Sequence, residues 1–253
     1  MSTAAAEVQT SRPVLVHESE LAQVWHGDSR DVLADLATES VDLVVTDPPY
    51  GVQWQSGHRT TAFEQLAGDG ADEASRLAIR DVLAQCVRVV GQSRHLYVFG
   101  PGDVLEGLKV SECVQLVWDK GTLGSGNLAA AWGPAHEPIN FCVSKHRHGG
   151  KAGRSVLPTR LRKGSVLSFN RPTGRKVRHP SEKPVPLLRE LVESSSRQGE
   201  LVLDPYAGTG ATGVAALLSG RRAILVDTDP RWAALAAERV QQAEALVSEL
   251  AAV

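Results

Sequence analysis

The 253-residue chain has few of the residues from which disulfide frameworks, metal sites and membrane spans are built. Its three cysteines, Cys86, Cys113 and Cys142, lie in apolar contexts and form no C-x-x-C pair. This spacing argues against a zinc site and a disulfide framework, and it predicts reduced thiols in a cytoplasmic protein without a bound metal. No run of about 18 apolar residues occurs, so the sequence predicts no membrane-spanning helix.

Acidic residues are missing from one long stretch of the chain. Between Glu137 and Glu182 there is no Asp or Glu but eleven Lys or Arg, whereas the whole chain has 29 acidic and 27 basic residues. A basic segment in an otherwise acidic protein is typical of nucleic-acid binding, although a solvated basic loop has the same composition. The candidate nucleic-acid-binding residues of this inserted region, 144–178, are Arg154, Arg160, Arg162, Lys163, Arg171, Arg175 and Lys176.

Short apolar runs alternate with amphipathic segments, which predicts an α/β fold with a mostly parallel sheet and helices on both faces. The predicted strands are 41–46, 95–100, 114–118, 139–143, 201–208 and 222–227. The predicted helices are 30–37, 73–90, 185–197, 212–220 and 230–252. Residues 120–137 and 144–178 lack periodicity and are predicted as loops or a small insertion. We therefore expect one domain over 23–253 after a frayed tail at 1–22.

The segment VDLVVTDPPY, residues 41–50, runs a buried strand into an acid, two prolines and a tyrosine. Pro48 and Pro49 have no backbone N–H and a fixed φ, so the strand ends abruptly. Such an end holds the Asp47 carboxylate, the Pro48 carbonyl and the Tyr50 ring at the carboxyl edge of the sheet, where open α/β sheets bind ligands. These four residues are the candidate catalytic group.

A glycine-rich loop follows a second buried strand. Gly208, Gly210 and Gly213 form G-x-G-x-x-G before a helix, and Asp227 ends the next predicted strand. Glycines permit close backbone approach, the helix N-terminus favours an anion, and the acid can bind ribose hydroxyls. The loop therefore predicts an adenosine-bearing cofactor, either NAD or S-adenosylmethionine. Only forty residues follow Gly213, which disfavours a dehydrogenase because no substrate domain follows.

The combined motifs resemble the amino-group DNA methyltransferases, which modify N6 of adenine or N4 of cytosine, and in particular their permuted β group. The matching segments are HGDSRDVLADLATESVDLVVTDPPYG (26–51), LVWDKGTLGSG with AHEPINFCVSK (116–145), RHPSEKPVPLLRELV (178–192) and VLDPYAGTGATGVAALLSGRRAILVDTDPRW (202–232). The resemblance covers roughly 25–240. Tyr206 replaces a more frequent phenylalanine, and the basic region matches no family pattern.

This resemblance implies a Rossmann-like S-adenosylmethionine methyltransferase domain with a circularly permuted motif order. It implies that Asp47 and Pro48 accept hydrogen bonds from the target amine, and that Tyr50 stacks on a base flipped out of the duplex. It assigns Asp28 to the cofactor adenine, unless Asp28 only caps a helix. The remaining residues implied to bind the cofactor are Ser181, Lys183, Asp204, Ala207, Gly208, Thr209, Gly210 and Asp227.

The expected activity is site-specific methylation of adenine N6 in duplex DNA, as in restriction-modification systems. Aspartate at position 47 favours adenine, because cytosine enzymes more often carry serine there. N4-cytosine methylation, methylation of RNA or protein amines, and a catalytically silent DNA-binding relative remain alternatives. The resemblance also allows a homodimer.

Overall fold

The computed structural model of the chain describes residues 12–49, 73–122, 131–145, 163–172 and 182–251. The strands are β1 (Val14–Glu18), β2 (Ala22–His26), β3 (Val41–Thr46), β4 (Val90–Phe99), β5 (Glu112–Asp119), β6 (His136–Val143), β7 (Val166–Ser168), β8 (Leu201–Asp204) and β9 (Arg222–Asp227). The helices are α1 (Ser29–Asp35), α2 (Glu73–Val89), α3 (Val185–Ser195), α4 (Ala211–Leu218) and α5 (Pro230–Ala251), with a short 3-10 helix at Gly102–Leu105.

The nine strands of the described residues form one sheet in the order β1-β2-β9-β8-β3-β4-β6-β5-β7. Strands β2, β9, β8, β3 and β4 are parallel to one another, β1 is antiparallel to β2, and β6 is antiparallel to both β4 and β5. The carboxyl ends of the five parallel strands and of β5 therefore lie at one edge together with the start of β6. We call this edge the carboxyl edge and the opposite one the amino edge.

Both faces of the sheet are covered by helices. Along β3, Leu43 and Val45 pack into a core formed with α3, α4 and α5, whereas Val41 and Val44 pack into a second core with α1 and α2. Successive strand residues point to opposite faces, so a strand buried on both sides must be apolar nearly throughout. The predicted α/β sheet with helices on both faces is confirmed.

Strand β3 precedes β8 by more than 150 residues in the chain, yet the two are hydrogen-bonded neighbours. The strand carrying the acid-proline end thus comes before the strand carrying the glycine loop. That is the order expected of a permuted sheet, and the permutation itself stays a prediction.

The predicted frayed tail at 1–22 is wrong for its second half, because residues 14–18 form β1 and pair with β2. Side-chain hydrogen bonds attach this edge to α5: Glu244 accepts from Ser19 and contacts Nε2 of His17 at 3.2 Å, and Nε2 of Gln241 contacts Nδ1 of His17 at 3.3 Å. Strand β1 alternates between exposed and half-buried positions. A short edge strand of this kind contributes little apolar signal to the sequence.

Two further expectations are corrected at the other edge of the sheet. Residues 166–168 of the predicted loop form β7, which pairs in parallel with β5. Cys113 and Cys142, expected to be reduced, are joined by a disulfide because they lie directly opposite each other on β5 and β6. Cys86 remains a free, buried thiol, and its burial raises its pKa. None of the helices in the described ranges is long and apolar enough to cross a bilayer.

Candidate active site

Four neighbouring parallel strands each end at an acidic residue on the carboxyl edge. Across the sheet from β2 to β3, these acids are Asp28 just after β2, Asp227 at the end of β9, Asp204 at the end of β8 and Asp47 just after β3. The sequence named all four, but only the strand order makes them adjacent. Pairing of Val44 with Leu203 places the two acid-proline ends side by side.

Asp47 is held by a buried lysine from a distant part of the chain. Nζ of Lys183 lies 2.5 Å from Oδ2 of Asp47 and 3.2 Å from Oε2 of Glu137. The other oxygen of Glu137 lies 2.6 Å from Nζ of Lys120. Four alternating charges therefore run from Asp47 at the end of β3 to Lys120 after β5.

The ion pairs determine the ionisation of this group. Burial alone would lower the pKa of Lys183, but Asp47 and Glu137 outweigh burial and raise it. Burial would likewise raise the pKa of Glu137, and the two lysines lower it instead. The Lys183 ammonium also lies 5.0 Å from the centre of the Phe99 ring, a cation–π distance. Lys183 is therefore a charged residue held in a buried position.

The glycine loop between β8 and α4 has space on one side. Gly208 adopts φ +49°, and a Cβ built on it meets no atom of the described residues within 4 Å. Its N–H donates to Oδ2 of Asp227 at 2.8 Å, and Oδ1 of Asp227 accepts from Asp229 N at 2.9 Å. Burial raises the pKa of Asp227 despite these N–H donors. Open backbone next to a fixed carboxylate fits an adenosine-bearing ligand.

The other two glycines of the motif serve packing instead. A Cβ on Gly210 would lie 2.8 Å from Cα of Ala236, and one on Gly213 would lie 2.5 Å from Cδ1 of Leu225. Thr209, predicted to bind the cofactor, is buried, and its hydroxyl and carbonyl both accept from Arg239 on α5. The loop is thus held against α5 on one side, which leaves the Gly208 side for a ligand.

Asp28 has the helix-capping role that was the alternative to cofactor binding. Its Oδ1 accepts from Arg30 N at 2.8 Å at the start of α1, and its Oδ2 lies 2.5 Å from Nη2 of Arg30. The hydrogen bond from the Arg30 side chain lowers the pKa of Asp28. Its neighbour Gly27 donates to the carbonyl of Asp227 at 3.0 Å, so the backbone before Asp28 lies next to the end of β9.

Asp204 is a buried acid beneath the glycine loop. It is 3% exposed, and burial raises its pKa to about 6, although the Thr212 hydroxyl and the Tyr206 N–H stabilise the charged form. The negative charge of nearby Asp47 adds to the rise. Asp204 shapes the loop from below, since its Oδ1 accepts from Tyr206 N at 3.1 Å.

We expect Asp204→Asn to stabilise the protein above pH 6, because the substitution removes a buried charge and keeps an acceptor for the Tyr206 N–H. The raised pKa of Asp204, from 3.8 to about 6, favours folding below pH 4, and this contribution is lost as pH rises through 6. The free energy of unfolding of the variant should exceed that of wild type by about 1–3 kcal/mol at pH 7.5 and by much less at pH 4.5. Urea unfolding at both pH values measures this, and a pH-independent difference would contradict it.

Several predicted site residues lie outside the described residues: Tyr50, Ser181, Arg154, Arg160, Arg162, Arg175 and Lys176. Pro48 and Pro49 follow β3 as predicted, and Ala207 is buried, donating its N–H to Val226 O at 2.9 Å. Within the described ranges, no group of three or more His, Cys, Asp or Glu could hold a metal ion.

Two of the seven predicted DNA-binding residues are described, and they lie on opposite sides of β7. Lys163 precedes β7 and pairs with Glu190 and Ser194 Oγ on α3, away from the carboxyl edge. Arg171 follows the end of β7, which runs parallel to β5, and is half-buried at the carboxyl edge. Of these two described residues, Arg171 is the one at the edge that carries Asp47.

Sequence reasoning missed two of the charged residues at this site. Glu137 stood in a recognised segment, AHEPINFCVSK, without a defined role, and Lys120 was assigned to a loop. An acid two residues before the predicted strand 139–143 was the available signal for Glu137. The position of Lys183 against Asp47 was also missed, because 136 residues separate the two in sequence.

Comparison with known proteins gives consistent matches over most of the chain. The N6/N4 DNA methylase family model matches residues 41–238. The type II methyltransferase M.HinfI of Haemophilus influenzae is 26% identical over 249 residues, covering 88% of this chain and 69% of the relative. The DNA adenine methyltransferase YhdJ of Escherichia coli K12 is 25% identical over 257 residues, covering 89% of this chain and 84% of the relative.

A solved structure is similar in both sequence and fold. It is a Thermus thermophilus protein assigned as a DNA modification methylase, in complex with S-adenosyl-L-methionine. It is 25% identical, has a TM-score of 0.61, and the match covers 86% of this chain and 92% of that chain.

Proposed function

Because this chain belongs to the N6/N4 DNA methylase family, we propose that it is a site-specific DNA methyltransferase that uses S-adenosyl-L-methionine to methylate N6 of adenine. The observation that carries the proposal is the adjacency of β3 and β8. Strand β3 leads to Asp47 and Pro48 and strand β8 leads to the glycine loop, so their pairing supports a site in which an amine and a methyl donor meet at one edge.

Asp47 and Pro48 act on the target amine, which is a poor nucleophile because its lone pair is delocalised into the purine ring. The Asp47 carboxylate accepts a hydrogen bond from one amino hydrogen, and the Pro48 carbonyl accepts from the other. Two fixed acceptors draw the nitrogen toward tetrahedral geometry and release its lone pair for in-line attack. The sheet fixes the carboxylate, and the prolines fix the direction of the carbonyl.

The cofactor is assigned to the glycine loop and its neighbours. Asp227 binds the ribose hydroxyls, and the open backbone at Gly208 receives the methionine end, with Asp204 supporting the loop. When bound, S-adenosyl-L-methionine supplies a methyl group to the amine lone pair, the C–S electron pair stays on sulfur, and the methylated amine loses its extra proton to water. The Lys183 ammonium contacts Asp47. The family resemblance is what supports a role of Lys183 in binding the cofactor carboxylate.

The target base must leave the duplex to reach Asp47, at a cost of a few kcal/mol. Tyr50 directly follows the two prolines, and we assign it to stacking on the extruded base, which contributes about 1–3 kcal/mol. A substitution of Tyr50 is thus expected to affect DNA binding together with the reaction.

The choice of adenine rests on Asp47 as the first acceptor and on the adenine methyltransferase among the relatives. The test is incubation of the protein with labelled S-adenosyl-L-methionine and unmethylated DNA of diverse sequence, followed by nucleoside analysis. N6-methyladenine is the expected product. N4-methylcytosine would transfer the assignment to cytosine, and cofactor binding without any DNA product would favour a silent DNA-binding protein.

We expect Arg171→Ala to weaken DNA binding at all sequences, because Arg171 lies at the carboxyl edge and is assigned to a phosphate. Loss of one phosphate contact should reduce the slope of log affinity against log salt by about 0.9. Fluorescence anisotropy of labelled duplexes at several salt concentrations measures the slope. Arg197→Ala is the matched control, since Arg197 is an exposed arginine at the amino edge. Equal slopes for the two variants would contradict the placement.

A further inference from the structure

Glu137 is a carboxylate at the candidate active site that the proposed chemistry does not use. It occupies the second position of β6, and its side chain is 24% exposed. Lys120 lies 2.6 Å from Oε1, and Lys183 lies 3.2 Å from Oε2. Oε2 is fully buried and has no hydrogen-bond partner among the described residues, so the Lys183 ammonium is its compensating charge. A buried carboxylate is costly without such compensation.

The position of Lys183 depends on the two carboxylates on either side. Its side chain is 7% exposed, and its ammonium lies between Oδ2 of Asp47 and Oε2 of Glu137. A lysine has a long, flexible side chain, so a single partner would fix its ammonium poorly. With both partners in place, the ammonium is held on one oxygen of Asp47.

We propose that Glu137 is a positioning residue for the methyl transfer described above: it holds Lys183 on Oδ2 of Asp47 and thereby fixes the carboxylate to which the target amine donates. This inference rests on the proposed function. Glu137 touches neither the base nor the cofactor and acts through Lys183.

Charge balance gives Glu137 a second effect through the same contact. The charges of Asp47, Lys183, Glu137 and Lys120 cancel. Methyl transfer moves positive charge onto the target nitrogen, and a site with an uncompensated ammonium beside that nitrogen would oppose the transfer. Neutralising Glu137 leaves the group with one excess positive charge, whereas neutralising Lys120 leaves one excess negative charge.

The first test is Glu137→Gln, which keeps the size of the side chain and removes its charge. We expect kcat for methyl transfer to fall about 10–100-fold, with KM for DNA and for S-adenosyl-L-methionine changed less than about threefold. Lys120→Met should lower kcat less than Glu137→Gln does. Glu200→Gln is the matched control, since Glu200 is a part-buried carboxylate 2.9 Å from Arg94 at the amino edge. Its kcat should equal that of wild type.

A double-mutant cycle separates positioning from a general structural role. In a Lys183→Met background, Glu137→Gln should lower kcat at saturating substrates by less than about twofold, because the residue through which Glu137 acts is absent. An additive loss in that background would overturn the proposal. So would a loss in the Glu200→Gln control equal to that of Glu137→Gln.

A measurement without methyl transfer distinguishes failure of this inference from failure of the proposed function. In protein labelled with ¹⁵N-lysine, the ammonium signal of Lys183 is identified by its loss in Lys183→Met. It should shift in Glu137→Gln and in Asp47→Asn, and it should not shift in Glu200→Gln. An unchanged signal in Glu137→Gln overturns the positioning role. If Glu137→Gln shifts the signal but the wild-type protein methylates no DNA, the contact is established and the proposed function is overturned.

Discussion

Asp47→Ala is expected to lower kcat for DNA methylation by about 10²–10³-fold, since it removes an acceptor directed at the nitrogen on which charge develops. Cofactor affinity should change only slightly, because the glycine loop follows β8 and not β3. Lys183 keeps Glu137 as its counter-ion, which limits the loss of stability. Single-turnover rates at saturating DNA and cofactor, with cofactor binding measured separately, test this expectation.

Asp42→Ala provides the matched control on the same strand. Asp42 is at the amino-edge end of β3, pairs with Nη2 of Arg94 at 2.8 Å and accepts from Leu201 N at 2.9 Å. It is similarly exposed, at 27% against 24% for Asp47. The control should lower the free energy of unfolding and leave the rate per folded molecule unchanged. Equal rate losses in both variants would mean that Asp47 acts through stability alone.

Gly210→Ala is expected to produce the largest loss of stability among substitutions in the glycine loop. Gly210 adopts φ +76°, where a side chain costs about 1–2 kcal/mol. The new Cβ would lie 2.8 Å from the backbone of Ala236, which adds about 1–3 kcal/mol of overpacking. The free energy of unfolding should therefore fall by about 2–5 kcal/mol, measured by urea denaturation.

Gly208→Ala separates the cofactor role of the loop from its packing role. Gly208 also has a positive φ, +49°, but its added Cβ meets nothing within 4 Å in the part of the chain that the structure describes. Its loss of stability should stay near the conformational cost of about 1–2 kcal/mol. Because the Cβ fills the side left open for the ligand, the Kd for S-adenosyl-L-methionine should rise at least about tenfold. Unchanged affinity in Gly208→Ala would contradict the placement of the cofactor.

The local features of the sequence were sufficient to predict the central part of the fold. Strands β3, β8 and β9 are short apolar runs buried on both faces, and helices α2 and α3 bury apolar residues at helical spacing. The prediction was less accurate at the two edges of the sheet. Strands β1 and β7 are short and partly exposed, so their residues carry too little apolar signal to distinguish them from a tail or a loop.

The cysteine expectation failed for a related reason. Spacing along the chain gives no indication that Cys113 and Cys142 face each other, because their proximity depends on the register of the β5–β6 pair. Register is a property of two strands together, and it depends on which side chains each strand buries.

Local chemistry along the chain was enough to identify the residues that end the strands: an acid before two prolines at 47–49, an acid before the glycine loop, and Asp227. Proline, glycine and apolar runs restrict the backbone where they occur, so these features can be read without the fold. Which ends are neighbours depends on the assembled sheet, and the sheet places Lys183 between Asp47 and Glu137. These two contacts span 136 and 46 positions of the chain, and the free energy that fixes them comes from packing of the whole sheet.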